Sequence, residues 1–353
     1  MQNNDKCFIY AGSYTDNGSK GIYLFELDLN TGKLQLIEDY KEYSNNPSYL
    51  IIREDKLYAV SELEEGGEIT AFNRDVKTGK LTRINSVKTE GVYMCHLHIW
   101  PDGKHISAAN YGDGSLVVCP IAEDGSLLEP CERIQHEGIG YLKDTRQECA
   151  HIHSSSCSKD GKYLYVADLG LDQVFCYETG ADGSLKLSDD KKQIRVPLGE
   201  GPRHFIFTED GNRMYLVTEM GSRVHVLDKN PDDSWRDIQS ISTLDEGFSG
   251  ENTAAEIRIS PDKRFLYVSN RGENTIAVFS VDQNTGKLEK AGRFSSDGDF
   301  PRNFCITPDG EYIMTSNQHD GMTSVFKIDK NTGMAGEKTD STIIPGVSLV
   351  YAL

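Results

Sequence analysis

Three side chains suited to acid–base and anion chemistry stand at the ends of one short stretch, residues 199–219. Arg203 and His204 begin its first strand pattern and Glu219 ends its second, with the turn sequence EDGN between them. An antiparallel hairpin brings the start of its first strand and the end of its second to the same edge, so the three residues should be neighbours. A guanidinium binds carboxylate or phosphate oxygens, while an imidazole and a carboxylate transfer protons. This hairpin therefore predicts acid–base chemistry on a small anion.

The hairpin is one copy of a unit that repeats about every 50 residues. Its turn aspartate recurs at Asp55, Asp102, Asp160, Asp210, Asp262 and Asp309. Each hairpin is followed by a third strand pattern, such as RVHVLD or TIAVFSVD, and then by a turn and a weaker fourth strand. Four strands per unit at this period are typical of a propeller blade.

A seventh unit is assembled from both ends of the chain. FIYAGSYT and GIYLFELDLNTGKLQLI supply its middle and outer strands, and the C-terminal SLVYAL supplies the opening strand. Pairing the two ends removes exposed sheet edges. The sequence therefore predicts an all-β, seven-bladed β-propeller of four-stranded antiparallel blades, whose ring is closed by pairing of the N- and C-terminal segments. Because the repeat runs through the chain, one domain is expected over residues 1–353.

Further polar residues occupy equivalent positions in the other units. Glu219, Arg271 and Gln318 share one register counted from the turn aspartate. Other candidates stand at or near the starts of first strands: His96, His98, His151, His153, Glu256, Arg258, Arg302 and Asn303. We expect these residues to converge on one face of the ring. The substrate-binding candidates are His96, His98, His204, Glu256, Arg258, Arg302, Asn317 and Gln318. The alternative is that strand ends of a propeller are polar in any case, with arginines pairing to acids between blades.

Two His-x-His pairs raise the question of a metal. His96 with His98, and His151 with His153, place paired imidazoles on one strand face, an arrangement that suits a metal. No third or fourth ligand of clear spacing accompanies either pair, so no metal is expected. Imidazoles that act as an acid, a base or an anion donor are favoured instead.

One long connection, EPCERIQHEGIGYLKDTRQECA, separates two of the units. Long loops in compact folds are often functional, and this one is long enough to fold over the opening of the ring. Its basic residues Lys143 and Arg146 are candidate lid contacts.

Composition disfavours several classes of partner. The net charge of −18 argues against nucleic acid and anionic membranes, because phosphate groups would be repelled. No apolar run approaches the roughly 18 residues needed to cross a bilayer. The eight cysteines form no Cys-x-x-Cys pair and lie mostly within strand patterns, which predicts buried free thiols in a reducing, cytoplasmic compartment. The start MQNNDKCFIYAG lacks a basic region followed by an apolar core, so no signal peptide is expected.

Several consecutive motifs resemble those of a known family. They are HIHSSSCSKDGKYLYVADLGLDQV, GPRHFIFTEDG, AEIRISPDKRFLYVSNRGENTIAVF and FPRNFCITPDGEYIMTSNQ, and the similarity extends over nearly the whole chain. These motifs resemble the blades of the seven-bladed-propeller lactonases, a family that includes the propeller type of 6-phosphogluconolactonase and the fungal 3-carboxy-cis,cis-muconate lactonising enzyme. The resemblance implies lactone chemistry without a metal or an organic cofactor.

The resemblance also implies which residues act. The candidates are a histidine of the HIHS motif, Arg203, Glu219 and Arg271. The choice between His151 and His153 stays open. Ala150 stands where the family often has proline, a departure that affects the local backbone.

These residues lead to a hypothesis for the mechanism. Arg203 and Arg271, helped by Arg258 or Arg302, hold an acidic lactone and polarise its carbonyl group. Glu219 activates water, and a histidine of the HIHS motif protonates the leaving alkoxide.

The leading substrate is 6-phosphogluconolactone, a small anionic lactone of the pentose phosphate pathway. Muconate-type lactonisation and the hydrolysis of another sugar lactone are the alternatives. A propeller without catalytic activity, which binds a ligand or a partner protein through its ring face, is the alternative of a different class. A monomer or a weak homodimer is expected.

Overall fold

The computed structural model describes residues 5–41 and 44–353. This part of the chain consists of β-strands, connections and two short 3-10 helices, Thr15–Asn17 and Asp190–Lys192. It divides into two compact units, Tyr49–Ser240 and Met1–Ser48 with Ile241–Leu353. The single domain predicted over residues 1–353 includes residues 1–4 and 42–43, which lie outside the described residues, and it stays a prediction.

Within the described residues, the strands form seven antiparallel sheets. The N-terminal strands are β1 (Lys6–Ser13), β2 (Ile22–Asp28) and β3 (Lys33–Tyr40). The unit Tyr49–Ser240 begins with β4 (Leu50–Arg53), β5 (Lys56–Ser61), β6 (Glu68–Arg74) and β7 (Leu81–Lys88). The next sheet contains β8 (Met94–Ile99), β9 (His105–Asn110), β10 (Ser115–Pro120) and β11 (Glu132–Gln135).

Two further sheets complete this unit. The first contains β12 (Ile152–Cys157), β13 (Tyr163–Asp168), β14 (Gln173–Thr179), β15 (Leu185–Leu187) and β16 (Ile194–Arg195). The second contains β17 (Pro202–Phe207), β18 (Arg213–Thr218), β19 (Arg223–Lys229) and β20 (Trp235–Ser242).

The other unit continues after residue 241. One sheet contains β21 (Thr253–Ile259), β22 (Phe265–Arg271), β23 (Thr275–Val281) and β24 (Leu288–Ser295). The next contains β25 (Pro301–Ile306), β26 (Tyr312–Asn317), β27 (Met322–Ile328) and β28 (Ala335–Ile343). The last strand is β29 (Val347–Ala352). Seven sheets built on four-stranded meanders confirm the predicted all-β propeller blades.

The two ends of the chain share one sheet, as predicted. Strand β29 pairs antiparallel with β1, so that Tyr10 lies opposite Tyr351 and Ala11 opposite Val350. The Cys7 thiol donates to the carbonyl oxygen of Leu353 over 3.0 Å. The first strand of this blade therefore comes from the C-terminus, and its other three come from the N-terminus.

Two strands differ from the sequence prediction. The long connection was predicted to begin before residue 130, but its segment β11 pairs with β10 as a fourth strand. The short strand β16 adds a fifth member to the sheet of β12–β15 by pairing with β14. Both are short segments whose pairing depends on a partner strand, so their own sequence gives little indication of it.

The repeated turn aspartate has a local physical role. In the hairpin β17–β18, Asp210 Oδ1 accepts hydrogen bonds from Thr208 Oγ1 over 2.6 Å and from the Asn212 amide over 3.1 Å. The Thr208 hydroxyl and the Asn212 amide hold the pKa of Asp210 below its usual value. Gly211 follows with a φ of 73°, which glycine adopts without steric cost. The turn is therefore encoded by neighbours in sequence.

The sheets of the unit Tyr49–Ser240 pack through apolar side chains. All six residues of β13 are buried. Tyr163 and Tyr165 of that strand share an apolar cluster with Met214 and Leu216 of β18. Burying a large apolar side chain contributes about 1.5–3 kcal/mol, so this cluster holds the two sheets together through their second strands.

A β-bulge interrupts the beginning of the first strand in most blades. The pairing register shifts between Met94 and His96, between Ile152 and Ser154, and between Pro202 and His204 in the unit Tyr49–Ser240. Comparable shifts lie between Ala254 and Ile257 and between Pro301 and Asn303 in the other unit. The residues within these bulges are Cys95, His153, Arg203, Ala255, Glu256 and Arg302. A bulge leaves a residue outside the regular ladder and turns its side chain in a new direction.

Candidate active site

The hairpin β17–β18 brings Arg203 and Glu219 together as the sequence predicted. Arg203 Nε donates to Glu219 Oε2 over 2.9 Å, and each residue is 2% exposed. The Glu219 amide donates to the carbonyl oxygen of Gly201 over 2.7 Å, which fixes the end of the second strand against the start of the first. A buried ion pair held by backbone hydrogen bonds keeps its geometry without a ligand.

Arg146 occupies the other oxygen of the same carboxylate. Its Nη2 donates to Glu219 Oε1 over 2.6 Å and to the Tyr111 hydroxyl over 3.2 Å. Burial alone lowers the pKa of Arg146, but the charge of Glu219 and the Tyr111 hydroxyl outweigh burial, and the net pKa is raised. The Arg146 side chain is 40% exposed, whereas that of Arg203 is 3% exposed. The expected contact of the long connection with the site is therefore present through Arg146.

Tyr111 links Arg146 to His151, which precedes β12, and to His153 of β12. Its ring stacks on the His151 ring with centroids 4.4 Å apart, and it meets the His153 ring edge-on at 5.7 Å. Burial raises the pKa of the Tyr111 hydroxyl. No role was predicted for Tyr111, which follows directly after β9; its position at a strand end before the glycine-rich GDG loop is the feature of the sequence that indicates it.

A row of aromatic rings continues from His153. The ring centroids of His153 and His204 are 5.1 Å apart, and those of His204 and His96 are 5.3 Å apart. Tyr49 packs on His96 with a centroid distance of 4.6 Å. Arg203 Nη1 lies 3.5 Å from His204 Nδ1. The structure therefore brings together the predicted residues His96, His153, His204 and Arg203, and it adds Tyr49.

His151 is held by two different neighbours. Its Nδ1 lies 2.8 Å from the carbonyl oxygen of Tyr111, and its backbone amide donates to Asp168 Oδ1 over 2.9 Å. Asp168 Oδ2 lies 2.7 Å from His136 Nδ1, and His136 Nε2 lies 2.8 Å from the Tyr177 hydroxyl. These buried partners fix the backbone at the start of β12.

His98 serves a backbone contact. Its Nε2 accepts a hydrogen bond from the Cys157 amide over 3.0 Å. Burial lowers the pKa of His98 to about 4, so the ring is neutral near pH 7. Its predicted role in substrate binding stays a prediction, but the nitrogen that accepts from Cys157 is already occupied.

The remaining candidates lie in the unit that contains residues 241–353. Arg271 Nη2 donates to the carbonyl oxygen of Ala254 over 3.1 Å, and its guanidinium lies 5.1 Å from the centroid of the Phe300 ring. Arg302 Nη1 lies 3.5 Å from Gln318 Oε1. The roles predicted for these three residues stay predictions.

The other four candidates of this unit also have internal contacts, and their predicted roles stay predictions. Glu256 Oε1 lies 3.1 Å from Arg258 Nε, and Glu256 Oε2 accepts from Asn303 Nδ2 over 2.7 Å. Asn317 Nδ2 donates to the carbonyl oxygens of Ser296 and Met322 over 3.1 and 2.9 Å. The Asn317 side chain therefore connects the end of β26 to the backbone of two neighbouring segments by hydrogen bonds.

All eight cysteines are free thiols. Six are buried, namely Cys7, Cys95, Cys119, Cys157, Cys176 and Cys305. The prediction of mostly buried free thiols is confirmed. In the part of the chain that the structure describes, no helix is long and apolar enough to cross a membrane.

Known proteins resemble this chain in sequence and in fold. The family model of the lactonases with a seven-bladed β-propeller matches residues 8–351. A 6-phosphogluconolactonase of Bacillus subtilis is 34% identical over 299 residues, which are 84% of this chain and 83% of that protein. A 6-phosphogluconolactonase of Formosa agariphila is 32% identical over 307 residues, 84% of this chain and 86% of that protein. The solved structure of the periplasmic gluconolactonase PpgL of Pseudomonas aeruginosa is 30% identical with a TM-score of 0.91, and the match covers 99% of both chains.

Fold and site together define a β-propeller enzyme of the lactone hydrolase class. The chain belongs to the family of seven-bladed β-propeller lactonases. The predicted family, fold class and enzyme class are confirmed.

Proposed function

We propose that this protein hydrolyses 6-phospho-D-glucono-1,5-lactone to 6-phosphogluconate. The observation that carries the proposal is the Glu219 carboxylate held between the guanidinium groups of Arg203 and Arg146, at 2.9 and 2.6 Å. The similarity to the 6-phosphogluconolactonases of Bacillus subtilis and Formosa agariphila supports the choice of lactone. A partly exposed cation beside a buried base suits a substrate that carries its own negative charge.

Glu219 acts as the general base in this proposal. Both of its oxygens accept from arginines, so one donor must leave before the carboxylate takes a proton from water. Arg146 is the donor that leaves, because it lies on a connection and its side chain is far more exposed than that of Arg203. The phosphate of the incoming substrate offers Arg146 an alternative partner. Substrate binding thereby frees Oε1 for the attacking water.

The reaction then proceeds through a tetrahedral intermediate. Glu219 removes a proton from water while the water oxygen attacks the lactone carbonyl carbon, and the carbonyl oxygen becomes an oxyanion that the Arg203 guanidinium stabilises. The bond between that carbon and the ring oxygen breaks as the intermediate collapses. The ring oxygen takes a proton from the acid and becomes a hydroxyl group, and the new carboxylic acid group then gives up its proton to become the carboxylate, while the proton held by Glu219 returns to solvent.

We assign His153 as the acid that protonates the ring oxygen. His153 and Arg203 occupy equivalent bulges at the start of β12 and β17, and the ring of His153 contacts that of His204, the residue next to Arg203. His151 has its Nδ1 directed to the Tyr111 carbonyl oxygen and its Nε2 near Glu148. The bulge therefore favours His153 for contact with substrate.

The proposal includes a place in the pentose phosphate pathway and a cytoplasmic location. Eight free thiols support a reducing compartment, because disulfides are rare there. A second candidate substrate is unphosphorylated glucono-1,5-lactone, which the similarity to the periplasmic gluconolactonase PpgL favours.

The test compares both lactones with the wild type and Glu219→Gln. Glutamine keeps the shape of the side chain and its hydrogen-bond acceptor but takes up no proton, so kcat should fall by roughly 10²- to 10⁴-fold. Glu129→Gln, an exposed residue of the same unit, is the matched control and should keep full activity. Full activity of Glu219→Gln contradicts its role as the base. If the wild type accelerates neither lactone above the spontaneous rate, the sugar-lactone assignment is wrong and muconolactones are tested next.

A further inference from the structure

Three potential metal ligands meet just before strand β12. His151 Nε2 lies 3.4 Å from Glu148 Oε1 and 3.6 Å from Cys149 Sγ. The ligand atoms of the three residues all lie within 4.8 Å of one another. The grouping combines a thiol, an imidazole and a carboxylate, which are the ligand types that Zn²⁺ prefers.

Two of the distances between these atoms equal the edge lengths of a tetrahedral site. Zinc bonds of about 2.0–2.1 Å to nitrogen, 2.3 Å to sulfur and 2.0–2.2 Å to oxygen, at tetrahedral angles, place nitrogen about 3.4 Å from oxygen and about 3.5 Å from sulfur. The observed separations from His151 Nε2 are 3.4 and 3.6 Å. Cys149 Sγ also lies 4.0 Å from His151 Nδ1, so it sits towards the face of the ring, and a cation on Nε2 requires the Cys149 side chain to rotate towards that nitrogen.

The hydrogen bonds of His151 support the same arrangement. Its Nδ1 lies 2.8 Å from the carbonyl oxygen of Tyr111, an acceptor only, so Nδ1 carries a proton, and in the neutral ring Nε2 carries the lone pair that a metal needs. Histidines that bind metals usually donate their second ring nitrogen in this way, to a carbonyl or a carboxylate. Asp168 fixes the backbone of His151 through its amide over 2.9 Å. The position of the ring is thus held by two hydrogen bonds, with Nε2 3.4 Å from the Glu148 carboxylate.

We propose that Glu148, Cys149 and His151 bind one Zn²⁺ ion or a similar thiophilic divalent cation. The ligands are a Glu148 carboxylate oxygen, Cys149 Sγ and His151 Nε2, and the Cys149 thiol releases its proton to solvent as the metal–sulfur bond forms. The Glu148 side chain is 56% exposed, so the ion can reach the group from solvent. Three protein ligands leave the fourth tetrahedral position for water or an external ligand.

The proposal differs from the arrangement considered in the sequence, where each His-x-His pair was taken as a unit. In the structure the His153 ring contacts the His204 ring, and only His151 lies beside Glu148 and Cys149. Metal binding therefore engages His151 and does not involve His153.

Co²⁺ is a suitable probe because a bound thiolate gives it a charge-transfer absorption band and a tetrahedral site gives it visible bands. We expect reduced wild-type protein to develop both with one Co²⁺ per chain and to lose them when Zn²⁺ displaces the cobalt. Cys149→Ser should abolish the charge-transfer band and weaken the binding of Zn²⁺ by at least about 100-fold, since even residues outside the ligand set cost 10- to 100-fold. Glu148→Gln should weaken binding and keep the thiolate band.

Cys131→Ser is the matched control, because Cys131 is an exposed thiol outside this group. It should leave the spectrum and the affinity unchanged. A wild type without a thiolate band, or a band that persists in Cys149→Ser, overturns the proposal. Circular dichroism and thermal unfolding of each variant establish that it is folded. The titration measures metal binding alone. If no metal binds, the lactonase proposal is unaffected. If the lactonase assay shows no activity, the metal-site proposal is unaffected.

Discussion

Replacing Arg146 with methionine removes its charge and its hydrogen bonds but keeps most of the apolar stem. In the proposed mechanism Arg146 leaves Glu219 and binds the phosphate of the substrate. A charge-assisted hydrogen bond contributes about 1.5–3 kcal/mol, and each 1.4 kcal/mol corresponds to a tenfold change in a binding or rate constant. Loss of this contact should therefore lower kcat/KM for 6-phosphogluconolactone by about 10- to 150-fold.

The unphosphorylated lactone gives the internal comparison. It offers Arg146 no anion, so the variant loses no substrate contact with it. The same substitution also releases Glu219 Oε1 from its 2.6 Å hydrogen bond to Arg146, which makes this oxygen available to water. We therefore expect kcat/KM for glucono-1,5-lactone to stay within a few-fold of the wild-type value or to rise.

The assay is the initial rate of acid release from both lactones, corrected for spontaneous hydrolysis, over a range of substrate concentrations. Lys143→Met is the control, because Lys143 is an exposed cation of the same connection. This variant shows how much of the effect comes from the loss of one positive charge on the connection, as opposed to the loss of the contact between Arg146 and the phosphate. Equal losses for the two lactones in Arg146→Met, or an equal effect in Lys143→Met, would refute the assignment of Arg146 to the phosphate.

Two further predictions concern histidines. His153→Gln should lower kcat by roughly 10²- to 10⁴-fold and His151→Gln by much less; the reverse order, measured in the same assay, would give the acid role to His151. Burial alone lowers the pKa of His225, but hydrogen bonds to Asp237 and Glu200, at 2.6 and 2.7 Å, raise it to about 9. The pKa of His225 is higher in the folded than in the unfolded protein, so its ion pairs stabilise the fold fully below about pH 6.5. This contribution to the free energy of unfolding, at most about 3 kcal/mol, is lost as the pH rises through 9. Urea unfolding at pH 6.5 and 9.5 should show a smaller pH effect for His225→Gln than for wild type, and an identical effect would contradict the ion-pair account.

The sequence by itself determined the blade and its hairpin. The turn at Asp210 is made by residues two positions away, Thr208 and Asn212, so the information is local and repeats with every unit. The proximity of Arg203 and Glu219 followed from the same hairpin, because antiparallel pairing dictates which strand ends meet. The closing strand β29 was predictable because the N-terminal unit lacked an opening strand.

Only the tertiary structure decided how the side chains of the site are directed and paired. The bulges that hold His153 and Arg203 arise from the register between two strands, which no residue sets alone. The contact of Arg146 with Glu219 joins residues 73 positions apart, and Tyr111, which follows a strand of a further sheet, contacts the same guanidinium group. These contacts depend on how a long connection and separate strands fold onto one another, so the sequence named the candidate Arg146 but not its partner.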